Sequence, residues 1–358
     1  MPFDIHNTYH LMALMEEITP TPAFFRDRYF PTGAGDLYTS DYVVTEFTKG
    51  NRKMAAFVAS RVGDIPVERG GYEIHMYQPP RVAPSRLLTI DDLAKKGFGE
   101  APFAGLTPEQ RAARLVQEDL AALERRIAFR EEWMAVKTIL SNGFEAVAYA
   151  DEVTPVENFG IHYYDGNTSD HIYTVDDPWE TFRMMSDDVE AMANDLYDRG
   201  LPAQDLLIGT KVASVMLTFP DLPQLVDKNS GIITGQIDAQ ITNYPGVVFL
   251  GVLNFGGHHL NIFVPRETYE GDDGKLTPFF PADGAVVTAP GAGHMTYAAV
   301  TQIPRGGDNF VTTAATRVPK LIVDDDAETR KFRVTSKPLP MPKAMTPWKY
   351  AASVVDDE

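Results

Sequence analysis

The sequence contains no cysteine, which excludes disulfide bonds, thiolate metal ligands and a cysteine nucleophile. Basic residues are also scarce: 32 lysines and arginines stand against 50 aspartates and glutamates, giving a formal net charge of −18 at pH 7. So large an excess of acidic residues argues against a protein that functions by binding the phosphates of nucleic acids. It leaves open a protein that encloses nucleic acid without holding it.

Long hydrophobic runs are missing as well. The longest apolar run, Val247–Leu253, contains a glycine and falls far short of the roughly 18 residues that a membrane helix needs. Residues 1–20 carry acids and histidines where a signal peptide has a basic and then an apolar stretch. We therefore expect a soluble protein, made inside the cell and not associated with a membrane.

The apolar material that is present is ample for a core, at 44% hydrophobic and 11% aromatic residues in a chain of 358. This length suggests two domains or one elaborate domain. Glycine (27 residues) and proline (26 residues) are spread along the chain, which predicts many strands and loops.

The first forty residues combine aromatic side chains with prolines. Pro20 and Pro22 precede Phe24 and Phe25, and Pro31 follows a second aromatic pair. Because proline fixes φ and disfavours helix in the preceding residue, no long helix is predicted here. The aromatic side chains need a surface to pack on. The segment is therefore either a strap over its own core or an arm that lies on another subunit.

Residues 38–80 alternate in the manner of β-strands. Strands are predicted at 42–47 and 54–58 around a turn at Lys49-Gly50-Asn51, with a third at 71–78. The third strand places Tyr72, Ile74 and Met76 on its apolar face. A long hairpin with so little core of its own is only marginally stable alone, so it is predicted to need a neighbour.

The strongest local pattern predicts a helix over 108–142. Thr107 is the predicted cap, Pro108 occupies the first helical position, and Asn142-Gly143 forms a left-handed stop. At ~1.5 Å per residue such a helix is ~50 Å long, which suits a beam across a flat protein. Its apolar stripe runs from Leu115 to Leu140, and Glu124, Glu131 and Glu132 are among the charged residues assigned to its other faces. A coiled-coil seam is the alternative interpretation.

The second half of the chain alternates between helical and strand patterns. A helix is predicted from the cap Asp177 and Pro178 to Gly200, and another from Lys211 to Pro220. Strands are predicted at 205–209, 247–253, 261–264 and 285–288, with a hairpin turn at 272–274 and more strands after Pro319. This alternation indicates an α+β fold with a mixed sheet.

Motifs that could carry chemistry are weak. His258-His259 is interpreted as a structural or surface loop pair, because adjacent residues of a strand point to opposite faces and no spaced partner exists. Gly291–His294 has the composition of a turn, and Asp324-Asp325-Asp326 lacks the pattern of a calcium loop. There is no phosphate-binding loop. The sequence therefore predicts no catalytic, cofactor-binding or metal residues.

The order of an aromatic arm, a long hairpin, one very long helix and an α+β region resembles the major capsid protein of lambda-type tailed bacteriophages, which has the Hong Kong 97 fold. The local matches are diffuse and span nearly the whole chain: 22–31, 54–63, 69–71, 205–209, 269–287 and 336–339. The glycine-rich stretches at 256–259 and 290–296 do not match the family pattern.

The resemblance implies an α+β Hong Kong 97-like organisation. Its parts would be an N-terminal arm (1–37), an extended β-hairpin or E-loop (38–88), a peripheral domain with the spine helix 108–142 (89–176), an axial domain (177–318), and C-terminal strands that return to these two domains (319–358). The arm and the E-loop would both lie on neighbouring subunits.

The same resemblance implies a structural role in the virion, with assembly in the host cytoplasm. Subunits would form hexamers and pentamers of an icosahedral shell that encloses double-stranded DNA without binding it specifically. A separate scaffold protein, a portal and a decoration or cement protein would be partners. The alternatives are a tail or connector protein, and a hydrolase that uses His258, His259 or His294.

Some relatives of this fold link their subunits through a lysine and an asparagine. The hairpin lysines here, Lys49 and Lys53, flank a charged turn where water would keep the amines protonated. No asparagine occurs after Asn309. We therefore expect a noncovalent shell.

Overall fold

A computed structural model describes residues 12, 15, 21–48, 72–89, 108–149, 154–163, 170–220, 244, 246–271, 274–304, 308–324, 326 and 329–355. These residues form an α+β fold, as predicted. None of the described helices is long and apolar enough to cross a membrane.

The α-helices with both ends among the described residues are α1 (Phe24–Tyr29), α2 (Pro108–Ser141), α3 (Phe182–Asp198) and α4 (Thr210–Thr218). A short 3-10 helix spans Ala34–Asp36. The strands of the first half are β1 (Val43–Thr48), β2 (Tyr72–Tyr77), β3 (Ser85–Leu88), β4 (Gly143–Tyr149), β5 (Pro155–His162), β6 (Ile172–Tyr173) and β7 (Asp205–Ile208). Twelve more follow: β8 (Val247–Phe255), β9 (His258–Pro265), β10 (Thr268–Glu270), β11 (Leu276–Pro278), β12 (Ala285–Thr288), β13 (Gly293–Tyr297), β14 (Val300–Gln302), β15 (Val311–Thr313), β16 (Val318–Asp324), β17 (Thr329–Thr335), β18 (Pro338–Pro342) and β19 (Lys349–Ala351).

The largest sheet has six strands in the order β6-β19-β12-β7-β9-β8. The pairs β7–β9 and β6–β19 are parallel and the other pairs are antiparallel, so the sheet is mixed. Its central strand β7 is buried at all four positions. One face packs against α3 and α4, and the other packs against α1 and the C-terminal half of α2. The strand β19 lies between β6 and β12 in this sheet.

The helix predicted over 108–142 is present as α2, and its 34 residues span ~51 Å. Asn142 adopts φ 49°, the left-handed conformation expected of the stop residue. The first half of α2 packs on a three-stranded sheet, β16-β17-β3, while its second half packs on the six-stranded sheet. The helix thus joins two separate cores.

Residues 23–30 pack within their own subunit, whereas the resemblance places the whole arm 1–37 on a neighbour. Phe24 and Phe25, together with Tyr29 and Phe30, are almost fully buried against Phe263, Phe280 and Trp348. The interpretation as a strap over its own core is therefore correct for 23–30. A short helix, α1, also occurs where extended chain was expected, because no proline falls between Pro22 and Pro31.

The first and third strands predicted for the hairpin region are present as β1 and β2, and they pair with each other. The described partner of β1 is β2, with Val43 opposite Tyr77 and Thr48 opposite Tyr72. The predicted turn at 49–51 and strand at 54–58 lie outside the described residues. Met76 is exposed, whereas Tyr77, predicted on the opposite face of the strand, packs against the ring of Tyr163 at 5.2 Å.

The start of α3 was predicted four residues too early. Thr181 is its cap, and the Thr181 Oγ1 accepts a hydrogen bond from the Met184 N–H at 3.3 Å. Trp179, predicted inside the helix, instead precedes it and donates its indole N–H to Asp188 at 2.7 Å. The predicted stop at Gly200 is confirmed by its φ of 81°.

His258 and His259 lie on a strand, so the predicted loop at 254–260 is wrong. Gly256 and Gly257 form a two-residue turn between β8 and β9, and Phe255 pairs with His258. Both glycines have positive φ, as this hairpin turn requires. Gly293 and His294 likewise belong to β13.

The packing of α1 predicts the pattern of tryptic cleavage. In the free subunit, the peptide bonds after Arg26 and Arg28 should resist trypsin. The helix α1 must first detach from the core and unfold before it can enter the active site of the protease. The bond after the exposed Lys275, in the turn between β10 and β11, is the matched control and should be cut first. Mass spectrometry of timed digests measures both rates. Cleavage at Arg26 or Arg28 as fast as at Lys275 would show that α1 is not anchored in its own subunit.

Candidate assembly surfaces and the charged junction

Two buried glutamates in the middle of α2 organise the junction between distant parts of the chain. Glu131 accepts hydrogen bonds from Arg26 at 3.0 Å, from Arg317 at 2.7 Å and from the Tyr297 hydroxyl at 3.1 Å. Two turns earlier on α2, Glu124 accepts two hydrogen bonds from Arg317, at 2.6 and 2.9 Å. We call Arg26, Glu124, Glu131, Tyr297 and Arg317 the charged junction.

The two arginines hold Glu131 in its charged form. Burial alone would raise the pKa of the Glu131 carboxyl, but Arg317 and then Arg26 outweigh it, so that the pKa is lowered. Burial also raises the pKa of the Tyr297 phenol, which lies beside Glu131 and stays neutral as a donor. The junction is therefore an ionised network inside the subunit, with Glu131 fully buried.

Glu132 lies on a different side of α2 and caps the N-terminal end of α1. Its two carboxyl oxygens accept the backbone N–H groups of Phe25 and Arg26, each at 2.8 Å. These N–H groups belong to the first turn of α1 and have no partner within that helix. Burial raises the pKa of Glu132 to about 8, although the two N–H groups act in the opposite direction.

A second ion pair joins α1 to the six-stranded sheet. The Arg28 Nε and Nη2 donate to Asp205 at 2.6 and 3.0 Å, and the buried Asp205 also accepts from Tyr29 and Asn261. The Arg28 guanidinium lies 4.6 Å above the centre of the Phe263 ring. Residues 23–30 are thus fastened to α2 by Glu131 and Glu132 and to the sheet by Asp205.

Large apolar side chains are exposed on two-stranded ladders outside the main cores. The most exposed are Leu276 (75%) on β10–β11, Phe310 (75%) beside β15, Val156 (68%) on β5 and Met76 (64%) on β2. Exposed apolar groups on projecting strands are typical of surfaces that meet another chain. These four ladders are the candidate assembly surfaces.

A groove lies between the segment after β2, the middle of α2 and the β4–β5 ladder. Its volume is about 630 Å³, and it is lined mainly by apolar and basic side chains, among them Arg81, Arg130, Trp133 and Lys337, with one carboxylate, Glu157. The combination of aromatic and basic groups would suit an extended segment that carries carboxylates.

The candidate histidines do not converge. His258 Nε2 lies 2.8 Å from the amide oxygen of Asn194, and its ring stacks on Tyr197. His294 belongs to a different sheet and faces Asp36 at 3.8 Å, and burial lowers its pKa. Within the described part of the chain, no group of three histidines or carboxylates could hold a metal ion.

The sequence interpretation missed the charged junction because it assigned Glu124, Glu131 and Glu132 to solvated faces. A signal was present: Glu131 lies four residues after Ile127 and three before Met134, in phase with the apolar stripe of α2. Its partners Arg26 and Arg317 are far away in sequence, so they could not be identified without the fold.

A family model described as Phage major capsid protein E matches residues 7–348 of the chain. Among solved structures, the chain is similar to a protein from a prophage of Escherichia coli CFT073 that is assigned as a capsid protein, with 20% identity, a TM-score of 0.68, and coverage of 97% of this chain and 98% of that chain. It is also similar to a phage-related protein from Bordetella bronchiseptica RB50, with 14% identity, a TM-score of 0.51 and coverage of 96% of each chain. The search of curated proteins finds no match.

The raised pKa of Glu132 predicts a pH-dependent stability. A carboxyl whose folded pKa is about 8, against an ordinary 4.5, stabilises the fold below pH 4.5, and that contribution is lost as the pH rises through 8. Glu132→Gln stays neutral at every pH but offers one acceptor oxygen to the two N–H groups, so its melting temperature should lie below that of wild type near pH ~5 and rise relative to wild type as the pH approaches ~9. The exposed Glu180→Gln is the control for loss of one surface charge.

Thermal melts of the three purified proteins across this pH range measure the effect. A constant difference between Glu132→Gln and wild type at every pH would contradict the assignment, as would the same trend in Glu180→Gln.

Proposed function

The chain belongs to the phage major capsid protein E family, and from that premise we propose how it builds a shell. It is a structural subunit of a phage capsid, with the Hong Kong 97-like fold, and a component of the virion. We propose that it assembles into hexamers and pentamers of an icosahedral shell around double-stranded DNA. The observation that carries this proposal is the family match over residues 7–348, which extends from the N-terminal segment to the residue before β19.

The proposed division of labour follows the parts expected from the resemblance. Residues 89–176 with α2 form the peripheral domain, 177–318 with the six-stranded sheet form the axial domain, and 319–358 return to both. The return is supported by β17, which pairs with β3 beside α2, and by β19, which pairs with β12. Residues 38–88 form the E-loop, and β1–β2 is its base.

The arm of the proposed shell is shorter than the region 1–37. Residues 23–30 are buried in their own subunit, and Met15 packs in the core beside the first half of α2. We therefore place the part of the arm that reaches a neighbour before Met15. The candidate assembly surfaces around Met76, Val156, Leu276 and Phe310 provide the apolar contacts between copies.

The shell is held together noncovalently and is completed by other proteins: a separate scaffold, a portal and a decoration protein. The hairpin lysines Lys49 and Lys53, which a covalent link would need, lie outside the described residues. We propose no enzymatic activity for the subunit, because His258 and His294 contact amide, aromatic and carboxylate groups in separate sheets. A strongly negative subunit encloses packaged DNA without gripping it.

Particles made from the purified chain, or isolated from an expressing host, test this function. Negative-stain images should show closed shells, or rings of six and five subunits. Denaturing gels of those particles, boiled in detergent, should give one band near 39.7 kDa. Tubes would favour the tail or connector alternative, and compact monomers would oppose the shell. A ladder of multimers on the gel would contradict noncovalent assembly but would not contradict the formation of a shell.

A further inference from the structure

The three-stranded sheet β16-β17-β3 has one buried and one outward face. Leu88, Leu321, Phe332 and Val334 pack against the first half of α2. Because side chains alternate along a strand, Lys320, Lys331 and Arg333 occupy the opposite face. On the buried side, the one nearby arginine of β3, Arg86, is paired with Asp119 at 3.2 Å.

The outward face sets positive charges beside one another. Lys320 stands directly opposite Arg333 in the β16–β17 register, and like charges in that position destabilise a sheet. Burial and then Arg333 and Arg81 lower the pKa of Lys320, while burial and then Arg81 lower that of Arg333. Arg81 is therefore close to both. We call Arg81, Lys320, Lys331 and Arg333 the basic face.

Within the described residues, no carboxylate forms an ion pair with Arg81, Lys320 or Arg333. The Nε of Arg333 is buried and donates no hydrogen bond. Such a group costs stability unless it finds an acceptor. A cluster of basic side chains without a carboxylate partner is unexpected in a chain that has 50 acidic and 32 basic residues, because acidic groups outnumber basic ones.

We propose that the basic face binds carboxylates of a second copy of this chain and is a contact between subunits. The inference rests on the proposed shell function, in which each subunit meets several identical neighbours. Charge complementarity selects the occupant: every neighbour carries a surplus of 18 negative charges. Leu87, next to Lys331 in the register and 53% exposed, adds an apolar contact at the same face.

Phosphates of DNA are the competing occupant. The net charge of −18 repels DNA and a second copy of the chain alike at long range, so short-range contact decides between them. Assembly brings the carboxylates of a neighbour next to this face at high local concentration, and shells that contain no DNA should already hold the contact. The same experiments separate the two.

The first experiment uses Lys320→Glu, which gives effects of opposite sign on the subunit and on the shell. In the free subunit the new carboxylate faces Arg333, so the melting temperature should equal or exceed that of wild type. In assembly it faces the carboxylates of a neighbour, so the fraction of protein in shells should fall at least about tenfold. Arg183→Glu makes the same change of charge at a side chain that is 89% exposed, and should assemble like wild type.

The second experiment identifies the occupant. A carbodiimide activates a carboxylate, and a contacting lysine amine then displaces the urea to form an amide. In DNA-free wild-type shells, peptide mass spectrometry should find Lys320 or Lys331 joined to an aspartate or glutamate, in a link absent from unassembled subunits.

The inference would be overturned by normal assembly of Lys320→Glu, by equal loss in Arg183→Glu, or by binding of a short DNA duplex that Lys320→Glu abolishes while its DNA-free shells form normally. A lowered melting temperature of free Lys320→Glu would also contradict it. A wild-type chain that forms no particles would reject the shell function as well, so the two failures are distinguishable.

Discussion

A buried carboxylate without a cation would be among the most destabilising groups that a subunit could contain, and Glu131 avoids this only because two distant arginines reach it. Arg26 comes from α1, Arg317 comes from the chain just before β16, and Glu131 lies in the middle of α2. Removal of one partner from such a network leaves a charge in a low-dielectric interior, at a cost of roughly 3–5 kcal/mol. Three segments, separated in sequence by 105 and 186 residues, are thereby fixed in one place.

The positions of the other parts follow from this junction. With α1 held against α2, Arg28 reaches Asp205 at the start of the central strand β7, and the aromatic residues of α1 cover one face of the six-stranded sheet. Arg317 is followed at once by β16, so its position also sets where the β16-β17-β3 sheet meets α2. The outward side of that sheet is the basic face. A rigid spine with both cores fastened to it suits a capsid subunit, whose contacts must recur identically in many copies.

Local signals in the sequence were sufficient where the structure is itself local. Pro108 and Asn142-Gly143 mark the ends of α2 because caps act within one turn, and residues 206–208 of the buried strand β7 are consecutive apolar residues. The same rule misplaced the start of α3, since Asp177-Pro178 has the composition of a cap while Thr181 performs that role. Where tertiary contacts decide, the sequence was insufficient. The pairing of β1 with β2, the burial of Phe24 and Phe25, and the ionisation of Glu131 all depend on partners that no short window contains.

The central claim is that Glu131 and Arg317 act as one unit, and a double-mutant cycle tests it most directly. Chemical denaturation of wild type, Glu131→Gln, Arg317→Met and the double variant gives four unfolding free energies. Each single change should destabilise the subunit strongly, and the double variant should lose at least about 2 kcal/mol less than the sum of the two. The pair Arg114–Glu118, exposed on the same helix, serves as the reference and should show a coupling below about 1 kcal/mol. If the Glu131 and Arg317 effects add to within about 0.5 kcal/mol, the junction does not hold the subunit together.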